Sequence, residues 1–164
     1  MSPSPSDQKN LQRIGFVLVP NFALMSYASA TEPLRAANLL AGSALYEAIP
    51  LSADGLPVRS SSGLTISCNR LSEAGGTCHT IYVCAGGDPQ DWYASVSLHM
   101  PLRKFARNGV RIGGISSGSY VLASAGPPGT TAFSSPRGHT PPPQKAFPPP
   151  PRRSARLFPS CGRR

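Results

Sequence analysis

Hydrophobic residues gather into short, unbroken runs separated by glycine, proline and polar turns. The first run is Ile14-Gly15-Phe16-Val17-Leu18-Val19, closed by Pro20-Asn21. It is rich in β-branched residues and does not alternate with polar ones, as expected of a strand buried on both faces of a parallel sheet. Residues 23 to 42 follow with helical character, and Leu24, Tyr27, Ala28, Leu34, Ala37 and Leu40 are their apolar candidates. Pro33 predicts a kink there, or a break into two shorter helices, because proline lacks the amide donor. Tyr46 to Leu51 reads as a strand. Val58-Arg59 and Leu64 to Cys68, on either side of Ser-Ser-Ser-Gly, read as a small hairpin. Thr80-Ile81-Tyr82-Val83-Cys84 is a second buried-strand candidate, ending in Ala85-Gly86-Gly87-Asp88-Pro89. Residues 90 to 107 are predicted helical in two pieces divided at Pro101, with Trp92 and Val96 apolar in the first. Leu98, Leu102 and Phe105 stand at spacings that put them on one face. A strand over 110 to 115, a sharp turn and a helix over about 117 to 125 complete the pattern.

Strands alternating with helices predict an α/β fold: an open, mostly parallel sheet with helices on both faces and right-handed crossovers. In such sheets ligands bind at the carboxyl ends of the strands. Three features then share one edge: the turn after the first strand, the Gly86-Gly87 turn, and Ser116-Ser117-Gly118.

Charge divides the chain. All seven acidic residues precede position 92, whereas eleven of the sixteen lysines and arginines follow position 99. Between Pro127 and Arg164, eleven of 38 residues are proline and seven are basic. Apolar positions there have no period, so burial cannot offset the entropy of ordering. The expected organisation is therefore a disordered N-terminus over 1–10, an α/β domain over 11–126 and a disordered Pro/Arg-rich tail over 127–164. Cys68, Cys78, Cys84 and Cys161 form no Cys-x-x-Cys pair, which argues against a zinc site or a disulfide framework. His79 and His99 read as surface or partly packed residues. No metal and no cofactor are expected. No run approaches the roughly 18 apolar residues of a membrane span, and MSPSPSDQKN has no apolar signal core, so a cytoplasmic protein is expected.

The stretch GVRIGGISSGSYVLASAG (109 to 126) carries the chemistry. A strand turning abruptly into a helix presents the turn residue, Ser116, where backbone N–H groups converge, the geometry of a nucleophile elbow. Ser116 has three readings: a small residue that a tight turn requires, a ligand contact, or a nucleophile. A serine hydroxyl needs a positioned general base, and the only histidine after the elbow is His139, inside the tail.

Three blocks, IGFVLVPNFALMSYASATEPLRAANLLAG (14 to 42), IYVCAGGDP (81 to 89) and the elbow stretch, together resemble the amidase-like N-terminal domain of AraC-type transcription regulators. That domain belongs to the ThiJ/PfpI branch of the class I glutamine-amidotransferase-like fold, which is flavodoxin-like in outline. The "ALMSYAS…EPLRAAN" character is similar to regulators of betaine, carnitine and other quaternary-amine metabolism. The resemblance implies that Glu32 matches the family's glutamate, Gly86 and Gly87 its anion-binding turn, and Ser116 the position of its catalytic cysteine. With serine there and no base, catalysis is expected to be lost. Glu32, Gly86, Gly87, Ser116 and Ser117 would then line a pocket that senses a small-molecule effector, in a protein often dimeric.

Each of these residues also has a plainer reading. Glu32 can pair with Arg35 one turn on, and Gly-Gly-Asp-Pro is a common turn. Trp92 and Tyr93 can form an aromatic box for a quaternary ammonium or simply pack. In the family, DNA is bound through C-terminal helix-turn-helix units. Here family-like sequence gives way near Gly126 to Pro/Arg-rich sequence, so we expect a frameshift or truncation there and a sheet incomplete at its C-terminal end. Two alternatives are a ThiJ/PfpI-type hydrolase acting through Ser116 and an interaction protein whose basic, proline-rich tail is the working part.

Overall fold

The computed structural model describes residues 11–86 and 96–125. At its centre is β1 (Gln12–Leu18), flanked on one side by β2 (Tyr46–Ser52) and on the other by β6 (Thr80–Ala85). The short β5 (Asn69–Arg70) lies outside β2, and β7 (Arg111–Ser116) lies outside β6. The order is β5-β2-β1-β6-β7, and every pairing is parallel. A separate antiparallel pair, β3 (Val58–Arg59) and β4 (Thr65–Ile66), is the expected hairpin. Because the chain leaves β1 toward β2 and later returns to β6 on the opposite flank, strand order reverses at β1. That is the topological switch at which open α/β sheets form their crevice.

Alternation along β1 builds the two faces. Phe16 and Leu18 join one apolar cluster with Phe22, Val58 and Cys84, while Val17 and Val19 join a second with Leu51, Ile81, Val83 and Val121. Helix α1 (Leu24–Ala41) covers the first face through Leu24, Tyr27, Ala30 and Leu34. Tyr27 meets Phe16 and Phe22 edge-on at ring-centroid distances of 5.6 and 5.7 Å. The short α2 (Leu71–Ala74), α3 (Val96–Arg107) and α4 (Gly118–Ser124) supply Leu71, Leu98, Leu102, Phe105, Val121 and Leu122 to the other face. Helices therefore flank both faces of a parallel sheet, the expected fold class.

Both proline breaks expected from the sequence are absent: α1 runs unbroken through Pro33, and α3 through Pro101. Each proline removes a single bond of the ladder. Pro33 lies on the exposed side of α1, where water can solvate the freed carbonyl and where helices tolerate gentle curvature. Contacts on both sides of each proline hold its halves in line: Tyr27 and Ala30 with Leu34 in α1, Leu98 with Leu102 and Phe105 in α3. The shared face of α3 is thus as expected, but Val96 is 62% exposed and stays out of the core. The elements β5 and α2, and a single 3₁₀ turn at Gly75–Thr77, went unpredicted because elements this short carry no periodicity. The expectations for 1–10 and 127–164 fall outside the described residues.

Asn38 fastens the far end of α1 to β2. Its Nδ2 donates to the Tyr46 carbonyl at 2.8 Å, and its Oδ1 accepts from the Leu45 and Tyr46 amides, both at 2.9 Å.

Candidate functional site

Three turns come together at the carboxyl edge of the sheet. After β1, the Phe22 amide donates to the Val19 carbonyl at 3.0 Å, with Pro20 and Asn21 between them and Asn21 at φ 60°. Proline followed by a residue with positive φ is the signature of a type II turn. The turn is tied to the β3–β4 hairpin: the Asn21 amide donates to the Arg59 carbonyl and the Ser61 amide to the Phe22 carbonyl, both at 2.9 Å. It is tied to β6 through the Val19 amide and the Cys84 carbonyl, at 3.0 Å.

Gly86 follows β6 directly. A β-carbon there would sit 1.8 Å from the Asn21 carbonyl oxygen, so only glycine lets the two turns meet. The sequence placed the Pro20-Asn21 turn and Gly86 on one edge; the backbone contact between them is what the structure adds.

The elbow is the third turn. Ser116 is paired with Ala85, next to Gly86, and has φ 54°. A non-glycine residue in the left-handed region is uncommon and costs about 1–2 kcal/mol. Close packing enforces it. A β-carbon on Gly118 would lie 1.8 Å from the Val83 carbonyl oxygen, and one on Gly114 would lie 2.4 Å from the Ser119 amide nitrogen. Helix α4 can therefore start directly over β6 and β7 only if the turn is abrupt. Ser116 is exposed and Ser117 half-buried. The Ser117 carbonyl accepts from the Tyr120 amide at 3.0 Å, and the Ser116 carbonyl from the Ser119 hydroxyl at 3.4 Å.

Among the described residues, the groups that could activate a serine are engaged elsewhere. His79 precedes β6, so it stands at the amino edge, about 20 Å from Ser116 by strand rise. Its Nδ1 accepts from the Arg13 amide at 3.0 Å. His99, on α3, has Nε2 3.2 Å from the Ser124 hydroxyl at the far end of α4. Burial, reinforced by the Arg103 charge, lowers its pKa and favours the neutral ring. Glu32 is the ninth residue of α1, about 12 Å along the axis from the end that meets the carboxyl edge. Its exposed carboxylate lies 2.7 Å from Arg35 Nε, the plainer of its two readings. Among the described residues no base contacts the Ser116 hydroxyl. Gly87, Trp92, Tyr93 and His139 lie outside the described residues.

Cys84, on β6 behind the elbow, is buried against Phe16 and Phe22, and burial pushes its thiol up to about 12. It is a core residue, not a substitute nucleophile. No group of three or more His, Cys, Asp or Glu among the described residues could hold a metal. No described helix is long and apolar enough to cross a membrane.

A parallel sheet with strand order reversing at β1 and a strained elbow after β7 defines a ThiJ/PfpI-like α/β domain. The fold superposes on a ThiJ/PfpI family protein from Pseudomonas syringae with a TM-score of 0.56 at 14% identity, over 76% of this chain and 52% of that one. It superposes on an AraC family transcriptional regulator from Pseudomonas putida with a TM-score of 0.59 at 28% identity, over 70% of this chain and 61% of that one. In sequence, the chain is 57% identical to the HTH-type transcriptional regulator GlxA of Rhizobium meliloti (strain 1021) over 143 residues. No protein-family model matches it. The chain's sequence relatives are thus HTH-type transcriptional regulators, and its fold is the one shared by AraC family and ThiJ/PfpI proteins. The match to GlxA covers 87% of this chain and 44% of GlxA, so the chain spans less than half the length of that relative. A match of 143 residues also reaches past Gly126 into the Pro/Arg-rich segment, beyond where similarity was expected to stop.

Proposed function

We propose that this chain is an effector-sensing domain of an AraC-type transcriptional regulator, acting in the cytoplasm as a homodimer. The helix-turn-helix region through which its relatives would bind DNA lies outside the part of them that this chain matches. The effector is a small metabolite of the quaternary-amine class, such as betaine or carnitine. It sits at the carboxyl edge against Gly86, Gly87, Ser116 and Ser117. Glu32, held by Arg35, stays outside the contact set in this reading.

The observation that carries the proposal is that the strained elbow is kept at Ser116 while no described base accompanies it. A turn costing this much conformational energy persists where the surrounding structure uses it. With no base among the described residues, the use that fits a binding crevice is to fix hydroxyl and amide donors against a ligand.

The test is thermal unfolding of the chain with a panel of quaternary amines and amino acids. An effector bound only by the folded state adds about 2.7 kcal/mol at 100 times its dissociation constant. Replacing Ser117 by leucine should remove the shift. No shift from any quaternary amine would refute the ligand class. A specific observation, the elbow geometry itself, keeps a hydrolase reading in play: ester or amide turnover lost on Ser116→Ala would replace the sensor with an enzyme.

A further inference from the structure

Charge is distributed unevenly among the described residues. Glu32, Glu47 and Glu73 each face an arginine, at 2.7 Å (Arg35), 2.9 Å (Arg13) and 3.5 Å (Arg70). The Asp54 carboxylate accepts from the Leu56 amide at 3.0 Å and the Ser52 hydroxyl at 3.3 Å. Arg103, Lys104, Arg107 and Arg111, all exposed, have no carboxylate partner among the described residues.

These four cations occupy the end of α3 and the start of β7, at the amino edge of the sheet and away from the elbow. The turn between the two elements is a Schellman closure. The Val110 amide donates to the Phe105 carbonyl at 3.0 Å and the Gly109 amide to the Ala106 carbonyl at 3.1 Å, with Gly109 at φ 86°. Val110 packs on the apolar cluster that contains Phe105. Arg107 and Arg111 are thus presented on a fixed scaffold rather than a loose loop. Lys104 and Arg107, in the last turn of α3, complement the negative end of the helix dipole. Arg103, one turn earlier, is taken up by the Ala125 carbonyl, to which its Nη2 donates; Arg111, on the strand, is accounted for by neither effect.

We propose that this surface contacts the phosphate backbone of duplex DNA. The patch formed by Lys104, Arg107, exposed Asn108 and Arg111 includes no large apolar residue; exposed Met100 stands one turn before Lys104, at its margin. Protein partners are held by aromatic and aliphatic anchors, whereas nucleic-acid interfaces are more polar and far more positive. Lysine, arginine and asparagine are the side chains that grip phosphate oxygens, positioning a protein without reading sequence. The domain would add its own salt-sensitive grip to whatever DNA contact the matched regulators make elsewhere. The inference goes beyond the effector reading and does not depend on it.

The test uses the whole chain and a short fluorescent duplex of arbitrary sequence, titrated between about 50 and 200 mM salt. The triple variant Lys104→Gln/Arg107→Gln/Arg111→Gln should flatten the plot of log affinity against log salt by about 2.7, and Lys104→Gln alone by about 0.9. Arg35→Gln, which removes a cation from α1, should leave the slope unchanged. An unchanged slope in both the single and triple variants, each with a wild-type thermal transition, would overturn the proposal. So would tighter binding of poly-glutamate than of the duplex, lost in the same variants, because the surface would then serve an acidic protein.

Discussion

Helices α1 and α3 each contain a proline and each remain continuous, yet they are attached to the sheet in different ways. None of the eighteen residues of α1 is fully buried, and Met25, Leu39 and Leu40 are 81, 72 and 88% exposed. The shorter α3 buries Leu98, Leu102 and Phe105 on one stripe. The first helix is held by half-buried side chains, a tyrosine edge and the Asn38 clasp; the second is held by a conventional apolar seam. Their charges differ as well: Glu32 and Arg35 cancel on α1, whereas the outer face of α3 is uncompensated. A helix can therefore be fixed without a deep stripe, but its sensitivity to substitution then moves from the side chains to a few specific anchors.

The largest effect that would break this comparison is expected in α3. Leu102→Ala should cost about 2–5 kcal/mol, the range for truncating a buried leucine, whereas Leu40→Ala should stay within about 0.5 kcal/mol, as for an exposed site. Parallel denaturant titrations would check this, and equal losses would dissolve the contrast. At the elbow, Gly118→Ala must push a methyl into the Val83 carbonyl, and a loss of about 1–3 kcal/mol or more is expected. Ser116→Gly, at the adjacent left-handed position, should instead raise the unfolding free energy by up to about 1 kcal/mol by relieving strain, at the expense of ligand binding.

Proton linkage distinguishes the two faces. The Cys84 pKa is raised from 9.0 to about 12 by burial on the α1 face. Its contribution is complete below pH 9.0 and is lost as pH rises toward 12, because the unfolded thiol ionises first. Cys84→Ala should flatten stability over that window, read as the pH dependence of the denaturation midpoint. On the α3 face the His99 pKa is depressed, so its contribution is present above 6.5 and lost as pH falls below it. His99→Gln should remove that slope and leave the alkaline limb unchanged. The smallest effect is Arg35→Ala: the pair with Glu32 is exposed, and a change of less than about 0.5 kcal/mol is expected.

The main strands were legible because their apolar runs are long, and the α3 seam because its spacing is regular. Continuity through Pro33 and Pro101 was not legible. It depends on which side of the helix faces solvent and on contacts from other elements, neither of which local sequence contains. At the candidate site the elbow could be read from strand, small residues and helix in succession. That Ser116 would adopt positive φ follows from the closeness of Gly118 to Val83 and of Gly114 to Ser119, which only folding reveals. Glu32 had two readings in the sequence. The family resemblance pointed it to the pocket and the i+3 spacing pointed it to Arg35; the structure shows the pair with Arg35, about two turns along the helix from the edge.

The glycine contacts around the elbow also bear on how such a domain can change over generations. At Gly86, Gly114 and Gly118 the neighbouring backbone leaves no room for even a methyl group, so the main chain of this edge behaves as a mould with almost no accessible single-step variants. Variation at this edge must then be written at the few side chains that project from the mould, Ser116 and Ser117 foremost. A domain built this way can change the chemistry of its edge, a thiol in place of the hydroxyl at position 116 included, by single substitutions that leave the fold unchanged.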